Sequence, residues 1–236
     1  MNEQNFSQFY TPEQIKAEQA SFMAKVYGWM TAALIVTGFI SMFVASSPEL
    51  LVTIVGNKLF FYGLLIAEVG IVWWLSSRVQ SMSANTATLW FFLYAILNGM
   101  TLSVIFVVYT ASSIASTFFI TAGTFGAMSA YGYFTKRDLT SWGSFLFMGV
   151  IGLVIAGIVN IFWQNDMFGM IVSAIGVLIF TGLTAYDTQK IKEMNIIGNA
   201  GTDEDRKEAV MGALTLYLDF INLFLYLLRL LGGRRD

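Results

Sequence analysis

Residues 142–163 read WGSFLFMGVIGLVIAGIVNIFW and contain no charged side chain. A helix needs roughly 20 predominantly apolar residues to cross the hydrocarbon core of a bilayer, so this stretch predicts a membrane-spanning helix. The rest of the chain is similar, because 56% of its 236 residues are hydrophobic and only 12% are charged. A typical soluble domain carries about 25% charged residues. The sequence therefore predicts an integral membrane protein.

Apolar stretches of this kind recur along the chain and predict an all-α bundle of seven transmembrane helices. They lie near residues 24–45, 59–77, 88–109, 114–134, 142–163, 167–186 and 210–231. We expect a polar tail at 1–23, which could include an interfacial helix after Thr11-Pro12, a membrane domain at 24–231 and a basic tail at 232–236. Pairs of small residues, such as Gly126 with Ala130 and Gly152 with Ala156, are expected to let helices pack closely.

The distribution of lysine and arginine predicts the orientation, because cytoplasmic loops carry an excess of both. With the N-terminus in the cytoplasm, the inside would hold Lys16, Lys25, Arg78, Lys136, Arg137, Lys190, Lys192, Arg206 and Lys207. The outside would hold Lys58, Arg229, Arg234 and Arg235. The C-terminal arginines oppose this orientation, unless the seventh segment is short or re-entrant. Compact loops suggest a bacterial inner membrane, with an organelle membrane as the alternative.

The composition excludes several classes of protein. The chain has no His and no Cys, so it cannot form a Ser–His dyad, an HExxH zinc site or a thiolate metal site. A formal net charge of −2 gives no reason to expect nucleic-acid binding. The seventh segment has no Lys for a retinal Schiff base. We expect neither an enzyme nor a cofactor, and any pH sensing must rest on carboxyl groups.

Charged side chains in the predicted spans are the candidates for function, because inserting each one costs about 2.5–3.5 kcal/mol. Asp219 lies about 14 Å along the seventh helix at 1.5 Å per residue, so its carboxyl group needs a partner, water or a proton. Asn222 lies on the same helix face and could line the same cavity. The charged residues inside or at the edge of a span are Glu68, Arg78, Asp187, Asp219 and Arg229.

Asp187 ends the sixth span, and Asp219 follows the start of the seventh on the same predicted side of the membrane. If these helices are neighbours, the two carboxyl groups can meet, share a proton and titrate in two macroscopic steps. Arg78 ends the second span on that side and could pair with either aspartate as a protonation-dependent latch. The alternatives are an interfacial role for Asp187 and a positive-inside role for Arg78.

Several further polar residues have open roles. Glu68 could be a second carboxylate of an ion pathway or a polar group bonded to a neighbouring helix. Arg229 is expected to snorkel to the far interface, although it and Asn222 are also possible pathway residues. Asn98, Asn160 and Asn222 are expected to hydrogen-bond between helices. The acidic run Asp203-Glu204-Asp205 could tune local calcium, but is expected mainly to solvate its loop.

Two stretches of the sequence resemble the Bax inhibitor-1 family, also called the transmembrane Bax inhibitor motif family. Residues 184–191, TAYDTQKI, are similar to the signature that ends its sixth helix. Residues 213–229, ALTLYLDFINLFLYLLR, resemble its last helix. The resemblance implies seven helices with the last one surrounded by the others. It also implies a pH-sensitive calcium leak, in which Asp187 and Asp219 form the sensor and Arg78 the latch.

The leading hypothesis is therefore a calcium leak gated by protonation, with calcium bound transiently near Asp187 and Asp219. Its expected partners are the lipid bilayer, calcium and protons. The main alternative is a non-conducting regulator that binds a membrane protease or a stress or cell-death factor. A third is a proton-coupled secondary transporter, although the sequence shows no convincing inverted repeat.

Overall fold

The computed structural model describes residues 10–235, and nearly all of them are helical. The long helices are α1 (Pro12–Ser46), α3 (Lys58–Arg78), α4 (Ala84–Leu102), α6 (Ala111–Phe134), α7 (Thr140–Trp163), α8 (Asp166–Met194) and α9 (Asp203–Leu231). The short helices are α2 (Pro48–Leu51) and α5 (Ile105–Val108), with a π-helical turn at Val52–Gly56 and a 3-10 turn at Val79–Ser81. The described residues form no strand beyond one isolated bridge, between Tyr109 and Arg234. The predicted all-α class is confirmed.

Among the described residues, six helices are long and apolar enough to cross a membrane: α1, α3, α4 continued into α5, α7, α8 and α9. The protein is thus a multi-pass membrane protein. Helix α6 coincides with the fourth predicted span and has 24 residues. It is not among the six, because Ser, Thr and Gly are frequent in it and lower its hydropathy. The predicted count of seven spans is therefore not confirmed.

Helix α9 is continuous over 29 residues, or about 43 Å at 1.5 Å per residue. This is enough to cross a bilayer without the re-entrant turn considered for the seventh segment. In its most apolar stretch 67% of the residues are buried, against 50% or less in the other candidate spans.

The first helix begins earlier than the first predicted span. Thr11 caps α1, because the Gln14 N–H donates to Thr11 Oγ1 at 3.3 Å and the Thr11 N–H donates to Gln14 Oε1 at 2.8 Å. This reciprocal capping box, with Pro12 at the first helical position, favours a helix start here. The helix expected after Thr11-Pro12 is therefore present, but residues 12–23 are continuous with the span and do not form a separate interfacial helix. Residues 1–9 of that tail lie outside the described part.

The chain divides into two compact units. The first comprises residues 10–107 and 191–215, and in it α4 packs against both α1 and α3. Thr37 Oγ1 donates to the Ala95 carbonyl at 2.9 Å. A Cβ atom on Gly99 would lie 2.8 Å from the Thr37 carbonyl oxygen and 2.9 Å from Ile40 Cβ. Only glycine allows α1 and α4 to approach this closely.

The second unit comprises residues 108–190 and 216–235. Its close helix contacts also occur at glycines, where a side chain would overlap a residue of α8 or α9. These contacts are Gly132 with Ala185, Gly143 with Tyr186, and Gly176 with Tyr226. The part of the basic tail that is described pairs with the start of α6, since the Thr110 N–H donates to the Gly233 carbonyl at 3.1 Å.

The small-residue pairs expected to pack closely are not at these contacts. A Cβ atom on Gly126 or Gly152 would meet no atom of a neighbouring element within 4 Å among the described residues. Both glycines are exposed on their helices. The prediction was wrong because the spacing of small residues does not show which face of a helix meets a neighbour.

Candidate functional site

The carboxyl groups of Asp187 and Asp219 meet within the second unit. A side-chain hydrogen bond joins them across α8 and α9. Asp219 is 4% exposed and Asp187 is half-buried. A hydrogen bond between two carboxyl groups requires a proton on one of them. In the described part of the chain Asp219 Oδ2 is buried without a hydrogen-bond partner, so the pair can still accept a proton donor or a cation there.

The turn of α8 that carries Asp187 is held on both sides of it. One residue after Asp187, Thr188 shares a buried hydrogen bond of 2.8 Å with Ser129 of α6. Two residues before it, the Ala185 carbonyl lies against Gly132 of the same helix α6. These contacts leave little freedom for the backbone at Asp187.

Contacts with α7 and the preceding loop complete this support. The Tyr186 ring occupies the space that a side chain on Gly143 would fill. Gln189 donates from Nε2 to the Arg137 carbonyl at 2.9 Å and accepts the Leu139 N–H at 2.9 Å. In that loop the Thr140 backbone and side chain donate to the Asp138 carboxylate, and this lowers the pKa of Asp138.

Lys190 is a cation three residues after Asp187 on α8. Its ammonium group lies 5.7 Å from the centre of the Tyr186 ring, one helical turn away. It also acts electrostatically on the Asp187 carboxyl group. The sequence reasoning had placed Lys190 only among the charges that set orientation.

Arg78 is the last residue of α3 and is exposed. It belongs to the first compact unit, whereas Asp187 and Asp219 belong to the second. The latch between Arg78 and either aspartate therefore stays a prediction.

Glu68 has a site of its own in the first unit. It is 7% exposed, and it accepts hydrogen bonds from Thr101 Oγ1 at 2.8 Å and Asn98 Nδ2 at 3.2 Å. The structure thus shows a polar group bonded to a neighbouring helix, which was one of its two expected roles. Asn98 links α3 to α4, as predicted. These two donors from α4 offset part of the free-energy cost of burying the Glu68 carboxyl group.

Asn222 and Arg229 have local partners. Asn222 Nδ2 donates to the Leu218 carbonyl of its own helix at 2.8 Å, and Asn160 Oδ1 accepts the Asn165 N–H at 3.3 Å. These are not the bonds between helices that were expected of Asn160 and Asn222. Arg229 is exposed, and its guanidinium group lies over Gly169 in the first turn of α8. The exposure agrees with a side chain that reaches toward an interface, whereas a pathway role for either residue stays a prediction.

Several residues that support the aspartate pair were not predicted from the sequence. Thr188 and Gln189 lie in the quoted stretch 184–191, so a polar run at the end of an apolar helix was a usable signal. Ser129, Gly132 and Gly143 gave none, because hydroxyl and small residues are common throughout membrane helices.

Comparison with known proteins adds the family. The family model described as "Inhibitor of apoptosis-promoting Bax1" matches residues 19–236. The chain belongs to the Bax inhibitor-1 family. It is 51% identical to inner membrane protein YbhL of Escherichia coli over 94% of this chain and 95% of that protein. It is 48% identical to a protein of Rickettsia prowazekii (91% and 90% covered) and 45% identical to one of Borreliella burgdorferi (91% and 93%).

The aspartate pair lies inside the matched region and brings two acidic side chains together. Among the described residues, no group of three or more acidic side chains could hold a metal ion. Calcium prefers six to eight oxygen ligands, so two carboxyl groups suit a passing ion better than a resident one.

Proposed function

We propose that this Bax inhibitor-1 family protein is a pH-sensitive calcium leak, gated by the carboxyl groups of Asp187 and Asp219. The observation that carries the proposal is the hydrogen bond between these groups, with Asp219 Oδ2 buried and unpartnered. Loss of the shared proton would leave two negative charges side by side, which repel each other and attract a divalent cation. Protonation thus changes both the packing of α9 on α8 and the affinity for calcium.

The proposal includes the architecture and orientation expected from the sequence. We infer that α6 crosses the membrane as a seventh span and that the other helices surround α9. The high burial of α9 supports the second point. We also infer that the protein lies in a bacterial inner membrane, as the E. coli relative does by its name, with the N-terminus in the cytoplasm. In this proposal Arg78 is the latch that pairs with Asp187 or Asp219.

The test is calcium flux into liposomes that contain the purified protein and a calcium-sensitive dye, measured across the pH range in which carboxyl groups titrate. The wild type should show flux that depends on pH. Asp187→Asn and Asp219→Asn should each flatten this dependence, because an amide cannot ionise. Asp166→Asn is the matched control, since Asp166 is an exposed residue in the first turn of α8.

If Asp219→Asn left the flux and its pH profile unchanged, the assignment of the sensor would be wrong. If the wild type carried no calcium at any pH, the leak itself would be contradicted. A protein that carried no calcium but purified with a membrane protease would instead be the non-conducting regulator considered from the sequence.

A further inference from the structure

The acidic start of α9 is bound to α1. Asp205 is 1% exposed, and Lys25 Nζ donates to its Oδ2 atom at 2.6 Å. The Gly201 N–H donates to the same oxygen at 2.8 Å. Asp205 was expected to solvate the loop, but it is instead a buried, paired charge. A buried carboxylate that loses its only cation is strongly unfavourable, so this pair fixes two elements together.

The same turn of α9 is bound to the start of α4. Both carboxylate oxygens of Asp203 accept the Ala84 N–H, at 3.1 and 3.2 Å. Ala84 is the first residue of α4, where N–H groups lack partners in the helix and favour a negative charge. Three residues after Asp203, Arg206 Nη2 donates to Asn85 Oδ1 of α4 at 3.0 Å.

The loop before α9 has a further contact with α1, since the Gly198 N–H donates to Glu18 Oε1 at 2.8 Å. Several other buried polar atoms of this loop and of the first turn of α9 have no hydrogen-bond partner in the described part of the chain. These atoms are Asn195 Nδ2 and Oδ1, Asn199 Oδ1 and Asp205 Oδ1. Buried polar groups without hydrogen-bond partners lower the free energy that is needed to open a segment locally. We therefore expect the charged contacts to contribute strongly to holding this segment in place.

We infer that Lys25, Asp203 and Asp205 form a clasp that holds the first turn of α9 against α1 and α4 and so positions α9 for gating. All of these contacts lie in the first unit. Asp219 lies fourteen residues after Asp205 on the same helix, or about 21 Å along its axis. Lys25 and Asp205 are thus positioning residues, and their effect on the leak rests on the proposed function.

The clasp is tested by hydrogen–deuterium exchange of residues 196–212, in detergent at one pH and without calcium. Lys25→Met should speed exchange of these amides by at least about ten-fold, because it leaves Asp205 buried without its cation. Lys25→Met combined with Asp205→Asn should speed it less than Lys25→Met alone, since no unpaired charge remains. Lys16→Met is the control, because Lys16 is an exposed lysine of the same helix.

Unchanged exchange in Lys25→Met, or exchange in the double variant as fast as in Lys25→Met alone or faster, would overturn the clasp. Size-exclusion chromatography shows whether each variant is folded. If Lys25→Met does not fold, Asp203→Ala takes its place, because the Asp203 side chain is 49% exposed and the buried Lys207 that pairs with it keeps Glu204 as a partner at 3.8 Å. It should speed exchange at the start of both α4 and α9, and no change at either would contradict the inference.

The link to gating is tested by calcium flux in liposomes. Lys25→Met should shift the pH profile of the flux, although Asp187 and Asp219 are intact. Lys25→Arg keeps the positive charge and should show the wild-type profile. Faster exchange with an unshifted profile would overturn the link. A wild type without flux would contradict the proposed function and not the clasp, whose test by exchange needs no calcium.

Discussion

At the scale of single residues, the aspartate pair depends on neighbours that keep Asp187 in place. Thr188 and Ala185 contact α6, and Tyr186 fills the space beside Gly143. The partner Asp219 comes from α9, where the next residue, Phe220, packs edge-to-face against Phe118 and Phe125 of α6, each at 5.5 Å. Both aspartates are therefore held by contacts with neighbouring helices.

Gly143→Val should test this support directly. The new side chain would overlap the Tyr186 ring, and overpacking of this kind typically costs about 1–3 kcal/mol. We expect a lower unfolding temperature in detergent and an altered pH profile of the calcium flux. Gly152→Val on the same helix is the control, because its Cβ position is open. Equal losses in the two variants would mean that the Tyr186 contact is unimportant.

At the scale of elements, α1 and α4 cross where Gly99 faces the Thr37 backbone. Backbone atoms cannot move aside as a flexible side chain can, so the helices must separate if a side chain is added. The crossing therefore depends on one residue that lacks a Cβ atom.

Gly99→Val should lower the free energy of unfolding by about 1–3 kcal/mol or more. Unfolding by sodium dodecyl sulfate in mixed micelles measures it. Gly70→Val in α3 carries the same change in helix propensity, but its Cβ position is open, so it should have the smaller effect. A similar loss in both would assign the cost to helix propensity instead of to the crossing.

At the scale of the whole molecule, the question is whether α6 crosses the membrane. If it does and the N-terminus is inside, residue 136 faces the cytoplasm and residue 165 the outside. If α6 does not cross, both positions exchange sides. The chain has no cysteine, so a single introduced cysteine reports its side without background.

We expect Asn165→Cys to react with an impermeant maleimide in spheroplasts and Lys136→Cys to be protected. Lys58→Cys and Ser81→Cys are the controls, because they precede α6 and should be labelled and protected, respectively, in either case. The reverse pattern at residues 136 and 165 would show six spans. Labelling of Ser81→Cys with protection of Lys58→Cys would show that the protein has the opposite orientation, with its N-terminus outside.

Much of this protein was predictable from its sequence. Apolar runs predicted the long helices, because the bilayer requires a minimum length and internal hydrogen bonding from any span. The sequence also indicated a helix start at Pro12, but as a separate interfacial helix, whereas a capping box there starts α1 itself, ahead of its apolar part. The cost of intramembrane charge also singled out Asp187 and Asp219, and the structure brings them together.

The sequence by itself determined the helical class, the membrane setting and the few charged residues whose insertion into a span is costly enough to indicate a function. These follow from the transfer of side chains and backbone into lipid, which depends on composition and local order. Only the tertiary structure decided which glycines sit at helix crossings, that Glu68 is bonded to α4 and that Asp205 is buried with Lys25. Those contacts join residues far apart in the chain, and spacing along one helix cannot show which of its faces meets a neighbour.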